Sequence, residues 1–348
     1  LDVCELTVNS NASVRVKSNF PLIVKKKITN LGTTADNFVV ESDANLIQQD
    51  NVTNTGKIKV ERNVLDMNNV TGQIDYVYWS SPVSGQVIKG ALGFSPNTPA
   101  NGYLQYNEIN DKFVVTSDPS FLTGKGYAIR AESGTNGYNK VYNFTGTPNN
   151  GNIQYQSLRF TDAAHGFNLV GNPYPSNIDF NKLHAMNSSN IYSTAWFWTN
   201  NSYTAGQVGS GYSGNNYAMF NGTGGSPATS NPSNPFNNSM TPDGKIKVGQ
   251  AFIVQAKASA PLDFNNGIRV TDNGGFFQKT EAKSRFWLTL TSPNTLVNTI
   301  LIGYVSGATD GYETDFDGEL FAIGSDSFYS ILGARKLAIQ GKADRFSV

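Results

Sequence analysis

The sequence predicts an all-β protein, and three observations carry that expectation. Gly (34 residues), Pro (14 residues) and abundant Asn interrupt nearly every stretch before three helical turns can form. Between them lie short runs rich in Val, Ile, Thr, Tyr and Phe, the residue types that fill strands. A block in the middle of the chain is repeated, with strand-like segments in the same order in both copies. The expected architecture is a short parallel β-solenoid, a duplicated β-sandwich (jelly-roll-like) region, and part of a further β-domain.

Residues 1–63 form the first segment. Apolar pairs recur at Leu6/Val8, Val14/Val16 and Leu22/Val24, with weaker echoes at Phe38/Val40, Leu46 and Ile58/Val60. Two inward side chains and then a polar corner suit a parallel solenoid, in which each coil stacks on its neighbours. An antiparallel meander produces the same alternation and stays open as an alternative. Cys4 reads as a small hydrophobe capping the first coil, and Lys25-Lys26-Lys27 as a solvated, edge-protecting face.

The duplication occupies residues 64–282. Gly124-Lys125-Gly126-Tyr127-Ala128-Ile129-Arg130-Ala131 matches Gly249-Gln250-Ala251-Phe252-Ile253-Val254-Gln255-Ala256. Phe144 before Asn149-Asn150-Gly151 matches Phe264 before Asn265-Asn266-Gly267, and Trp79-Ser80-Ser81-Pro82 matches Val170-Gly171-Asn172-Pro173. Tyr103 to Tyr106 pairs in the same way with Ala195 to Trp198. Two similar halves fit a sandwich; two propeller blades are the alternative, although a propeller closes only with four or more. One short helix is expected at Ile178 to Met186, capped by the Pro175-Ser176-Asn177 turn. The second copy carries an insertion at 203–243, dominated by Gly, Ser, Asn, Pro and Thr, which reads as a surface loop and the foremost contact surface. Residues 283–348 begin a further β-domain with strands at Phe286–Leu290, Thr299–Val305, Glu319–Ile323 and Lys336–Ile339, and the chain reads as a fragment of a larger protein.

Composition narrows the function classes. Twenty-six basic and 26 acidic side chains cancel in a chain of 348 residues, which removes the electrostatic drive toward nucleic acid or anionic lipid. No apolar run is long enough to span a bilayer. One Cys and two His leave little material for disulfides, zinc or triad chemistry. His165 and His184 stand without partners at ligand spacing. Gly209-Ser210-Gly211-Tyr212-Ser213-Gly214 matches the dinucleotide fingerprint but neither follows a strand nor opens a helix, and Thr123-Gly124-Lys125-Gly126 is no phosphate loop.

Two constellations offer sites. Trp196 and Trp198 alternate on one strand; with Tyr203 and Tyr212 they would form a stacking platform for sugar rings, unless the tryptophans belong to the core. Glu313, Asp315 and Asp317 precede Gly318, with Asp310 nearby, and alternate carboxylates on a tight turn can converge on calcium; a solvated acidic hairpin turn is the other reading.

Several blocks resemble a known family: Tyr78-Trp79-Ser80-Ser81-Pro82-Val83-Ser84-Gly85, Gly124-Lys125-Gly126-Tyr127, Gly166-Phe167-Asn168-Leu169-Val170-Gly171-Asn172-Pro173-Tyr174-Pro175-Ser176, Val248-Gly249-Gln250-Ala251-Phe252-Ile253-Val254, and Gly303-Tyr304 through Asp317-Gly318-Glu319-Leu320-Phe321. In that order they are similar to the region just ahead of the C-terminal sorting domain in large adhesin-like surface proteins of Bacteroidota. The resemblance covers essentially the whole chain, and the Asn-Pro-Tyr-Pro-Ser block is its most specific piece. It implies export by the type IX secretion system, with the secretion machinery and outer-membrane attachment components as partners. It further implies display on the cell surface or release, and an adhesin-like binding or spacer role toward glycans or neighbouring proteins, without a catalytic residue to carry over. A passive stalk and a secreted polysaccharide-acting enzyme are the rival expectations. The enzyme would place two or more carboxylates in one groove beside Trp196 and Trp198.

Overall fold

The computed structural model describes residues 1–70, 73–134, 136–200, 216–230, 240–271, 284–291, 296–321, 323 and 327–344. Strands fall where Val, Ile, Tyr and Phe cluster and turns where Gly, Asn and Asp do, so the chain is all-β with one short α-helix among the described residues.

The N-terminal strands pair in parallel. Asp2–Val3, Pro21–Val24 and Asn45–Gln48 form one sheet, Leu6–Val8 and Ile28–Asn30 a second, and Val14–Val16, Phe38–Val40 and Ile58–Met67 lie side by side in a third. Asp2 faces Ile23, Leu6 faces Ile28, Val14 faces Phe38, Pro21 faces Asn45 and Val39 faces Lys59, so the chain advances 20 to 24 residues before it lies beside itself again. Val8, Val16, Val24, Ile28, Phe38, Val40, Leu46 and Val60 point inward and are buried.

Ile58–Met67 then changes role. One edge runs parallel to Phe38–Val40 and the other antiparallel to Tyr138–Pro148. The boundary expected after residue 63 therefore falls inside a strand, because this strand closes the coils and opens the first sandwich. One core spans both: Val24, Phe38 and Leu46 share a cluster with Trp79, Phe94, Tyr127 and Phe144.

The two copies have the same strand order. The first sheet reads Tyr76–Trp79, Tyr127–Arg130, Tyr103–Asn107, Lys112–Val115. The second reads Phe167–Gly171, Ala251–Ala256, Ile191–Trp198, Tyr217–Phe220, and then Gly225–Ser226. Tyr217–Phe220 corrects the expectation that 203–243 is only a surface loop. It is the counterpart of Lys112–Val115, and its four residues are all buried. The length and polarity of the connection in the second copy concealed a return strand that a tight turn supplies in the first.

The copies dock through matched contacts. Trp79 bridges to Gln250 and Lys125 to Val170. The Ser80 amide donates to the Gly249 carbonyl at 2.9 Å, and the Gly171 amide to the Gly124 carbonyl at 3.0 Å. In the alignment of the repeats these are the same two contacts made in opposite directions. Gly124 and Gly249 both adopt positive φ, 78° and 76°, and a Cβ on the first would press on Phe264 while one on the second would press on Phe144.

The inner face of the second sheet packs on the helix Phe180–Met186 and two small sheets around Phe180, Phe252, Val254 and Phe264. The helix starts at Phe180, two residues later than expected, because Asn177–Asp179 is a strand. Asp179, not the preceding turn, caps it by accepting from the amides of Asn181 and Lys182. The outer face meets the C-terminal sheet of Ser284–Thr291, Val297–Val305, Arg335–Ala343 and Gly318–Glu319. Leu301 and Ile339 pack there with Trp196, Tyr217 and Met219. The strand expected at Glu319–Ile323 is limited to Gly318–Glu319, where the sheet shifts register.

Arg269 sits where coils and copies meet. It is 6% exposed, stacks 4.8 Å over Tyr174, and donates to Ser176 Oγ at 2.8 Å, to Asn150 Oδ1 at 3.2 Å, to Asn266 Oδ1 at 3.1 Å and to the Leu46 carbonyl. Among the described residues it makes no salt bridge with a carboxylate. We predict that Arg269→Met lowers unfolding free energy by at least ~3 kcal/mol, because several buried acceptors lose their donor at roughly 1–3 kcal/mol each. Arg269→Lys should recover less than half of that, since a point donor cannot span four directions. Urea denaturation with an unchanged m-value would measure both; a loss below ~1 kcal/mol for the Met variant would refute the role.

Candidate functional site

Alternation along Ile191–Trp198 divides the strand between two environments. Ile191, Ala195 and Phe197 face the helix-covered core. Tyr192, Thr194, Trp196 and Trp198 lie on the opposite face, which looks toward the first copy and the C-terminal unit.

The two tryptophans part company there. Trp198 stacks on Tyr78 at 5.7 Å and donates its Nε1–H to Asn200 Oδ1, so it is committed to the junction between the copies. Trp196 is 3% exposed and lies edge-on to Phe167, and its buried Nε1 meets no hydrogen-bond partner among the described residues. Both tryptophans thus serve packing, and neither forms an open platform. Tyr203 and Tyr212 lie outside the described residues.

Trp196 nevertheless forms part of the floor of a cleft of ≈ 570 Å³ between the second copy and the C-terminal unit. Tyr192, Thr194, Phe167 and Gln255 line it from the sheet, Ala163 and Ala164 from one wall, and Tyr312, Thr314, Glu319, Phe321 and Arg335 from the other. Sequence reasoning nominated only Trp196 and Asp317 of this set. Tyr192 and Thr194 were within reach, since they share the parity of Trp196; the opposite wall was not, because it comes from residues more than 100 positions away.

Each wall is held by a buried carboxylate that accepts backbone hydrogen bonds. Glu108 is buried and accepts from the Thr161 amide at 2.5 Å, Thr161 Oγ1 at 2.7 Å and the Gly166 amide at 2.9 Å, which fixes the 161–166 segment to the first copy. On the far side Asp317 accepts from the amides of Glu313 at 2.7 Å and Gly341 at 2.9 Å, while Glu313 accepts from the Thr309 amide at 2.5 Å. Burial, and secondarily the charge of Glu313, raises the Asp317 carboxyl above its ordinary value despite its two backbone donors.

The acidic pattern thus caps its own loop with backbone donors. Asp315 turns toward His184, whose Nε2 is 3.9 Å from Oδ1, and Asp310 toward Lys342 at 4.0 Å. Among the described residues no three His, Cys, Asp or Glu side chains come together in a way that could hold a metal ion. Burial lowers the affinity of His184 for a proton, the effect of Asp315 opposing it.

Asp317 and Glu319 both line the cleft with Trp196, which is the placement set out above for a polysaccharide-acting enzyme. Their chemistry differs from that of a free pair. Both Asp317 oxygens accept backbone hydrogen bonds, and Glu319 accepts from Arg335 Nη1 at 2.6 Å while Arg335 stacks 3.8 Å over Tyr312.

The chain belongs to the family described as Domain of unknown function (DUF8693), which matches residues 2–348. No curated protein and no solved structure matches it. No helix among the described residues is long and apolar enough to cross a membrane.

Asp317→Asn turns one accepting oxygen into a donor that faces an amide. We predict a loss of ~1–3 kcal/mol, with the cost localised to 309–319 by hydrogen exchange. Millimolar calcium should leave the melting temperature of the parent unchanged. A calcium-dependent rise that Asp317→Asn abolishes would restore the cation reading.

Proposed function

We propose that the chain is an adhesin-like binding module of an exported surface protein, and that the cleft between the second copy and the C-terminal unit takes a neutral glycan. The lining of that cleft carries the reading. Half-buried Phe167, Tyr192, Tyr312 and Phe321 offer apolar ring surface of the kind that suits the C–H faces of pyranoses. Thr194, Thr314 and Gln255 offer neutral hydrogen-bonding groups between them. The volume lies within the roughly 300–1,000 Å³ usual for small-ligand sites.

Charge favours a neutral ligand. Arg335 is engaged with Glu319 and Tyr312, and Lys257 lies 5.0 Å from the centre of the Tyr192 ring. An anionic ligand would have to compete with Glu319 for Arg335, and a cationic one would meet the two cations already placed on those rings. This assignment moves the contact surface from the 203–243 loop to the cleft.

Export by type IX secretion, with surface display or release and the secretion and attachment components as partners, rests on the resemblance of the quoted blocks to surface proteins of Bacteroidota. Low charge and the single free Cys4 agree with an exported scaffold. Protease shaving of intact cells, compared with a secretion-deficient strain, tests it: protein that stays inside the parent cell overturns the localisation.

A glycan array followed by calorimetry tests the ligand. Tyr192→Ala and Tyr312→Ala should each weaken binding about tenfold or more, in line with the ~1–3 kcal/mol carried by well-placed aromatic contacts. Binding unaffected by both would remove the cleft from consideration, and no bound glycan at all would leave a stalk. The placement of Asp317 and Glu319 favours one second reading, hydrolysis of the bound chain. Release of reducing ends that Glu319→Gln abolishes would establish it.

A further inference from the structure

One wall of the cleft carries a titratable group that glycan binding does not use. The 161–166 segment carries His165, whose Nδ1 lies 2.7 Å from Asp162 Oδ1 on the same segment. Its Nε2 lies 3.7 Å from Asp111 Oδ2, on the turn between Tyr103–Asn107 and Lys112–Val115 of the first copy. The imidazole thus spans from the cleft wall to a different part of the fold, with a carboxylate at each end.

We propose that His165 is a proton-driven clamp on the cleft wall formed by residues 161–166, fastening it to the Asp111 turn when the imidazole is charged and loosening it when the proton leaves. A neutral imidazole carries one N–H and can donate to one carboxylate only; a charged one donates from both nitrogens. The charges that act on the ring are Asp162 from its own segment and Asp111 and Glu108 from the first-copy hairpin, all acidic. The strand Ala251–Ala256 contributes only the Gln255 amide, which donates to the His165 and Ala163 carbonyls at 3.0 and 3.4 Å. Tyr106 OH donates to Asp111 Oδ1 at 2.9 Å and orients the receiving carboxylate.

The direction follows from these partners. The hydrogen bond to Asp162, and then the neighbouring acidic charges, raise the proton affinity of His165 above its ordinary value. The charged clamp is therefore complete below the ordinary histidine value near 6.5 and is lost as pH rises through the higher folded value. Its lower limit is set by Asp111, which burial makes easier to protonate than a free aspartate. The Glu108 hydrogen bonds to Thr161 and Gly166 do not involve His165, so release of the clamp loosens the wall without unfolding it. Ala163 and Ala164 lie directly on the cleft, so the clamp regulates the glycan site, a consequence that rests on the reading given above.

Hydrogen exchange on the full chain tests the clamp without any ligand. After correction for intrinsic rates, the amides of residues 163–167 should exchange about three- to tenfold more slowly at pH 5.5 than at pH 8, the scale expected of a partly exposed ion pair. His165→Gln, which keeps a neutral donor, and Asp111→Asn, which removes the far carboxylate, should each abolish that difference while leaving exchange elsewhere unchanged. Equal protection at both pH values in the parent, or a difference that survives His165→Gln, would overturn the clamp. Glycan affinity measured at the same pH values should fall as the wall loosens. Exchange that follows His165 in a protein that binds no glycan would sink the ligand assignment and leave the clamp standing.

Discussion

The structure turns on a guanidinium enclosed by neutral acceptors. Taking a cation out of water is costly, and a buried one is tolerated only where hydrogen bonds replace its hydration. Around Arg269 those bonds come from every part that must be held together: the Leu46 carbonyl from the coils, Asn150 from the end of the first copy, and Ser176 and Asn266 from the second. The same residues are cross-tied. Tyr174 OH donates to the Gly151 carbonyl, the Leu46 amide donates to the Pro175 carbonyl, and Asn150 and Asn266 both donate to the Asp50 carbonyl. Unpairing one member exposes the others to the same desolvation cost, so the junction acts as a unit.

That junction explains the Asn-Pro-Tyr-Pro-Ser block. Asn172 Nδ2 donates to the Ser176 carbonyl at 2.7 Å and its Oδ1 accepts from the Tyr174 amide at 3.0 Å, which folds the block on itself. The two prolines fix φ at about −65° at positions 173 and 175, between these bonds. Tyr174 then provides the ring beneath Arg269, and Ser176 the oxygen beside it. A segment that resembles a signature of exported proteins is here a piece of carpentry, and the cleft lies elsewhere on the second copy.

Much of this was legible in the residues, and what was not has identifiable causes. The parallel N-terminal strands were visible as recurring apolar pairs, and the duplication because its glycines face the same steric demand twice, at Gly124 and Gly249. Tyr217–Phe220 escaped because a long polar connection separates it from its partner strand, and hydropathy averages over such a span. The acidic run left its partners unread for another reason. Spacing places Glu313, Asp315 and Asp317 on one turn, but the donors they face are backbone amides of residues 309, 313 and 341, which spacing cannot reveal. Whether Trp196 faces the core or an open surface was not legible from its own strand, since the C-terminal sheet that covers it is distant in sequence. Arg269 gave no signal at all, because a single arginine before a valine looks like any strand end.

The reciprocal docking of the two copies is the geometry of a symmetric dimer. Two separate chains meeting in this way come apart on dilution, because their union is second order in concentration. Joined by the stretch between Pro148 and Phe167, itself partly paired through Ile153–Tyr155, the halves see each other at a fixed local concentration. Their association thus becomes independent of how much protein is present. It also frees the halves from identity: Gly126 faces Ala251 rather than a second glycine, and only one half carries the cleft. A lone molecule, far from any copy of itself, keeps its cleft assembled.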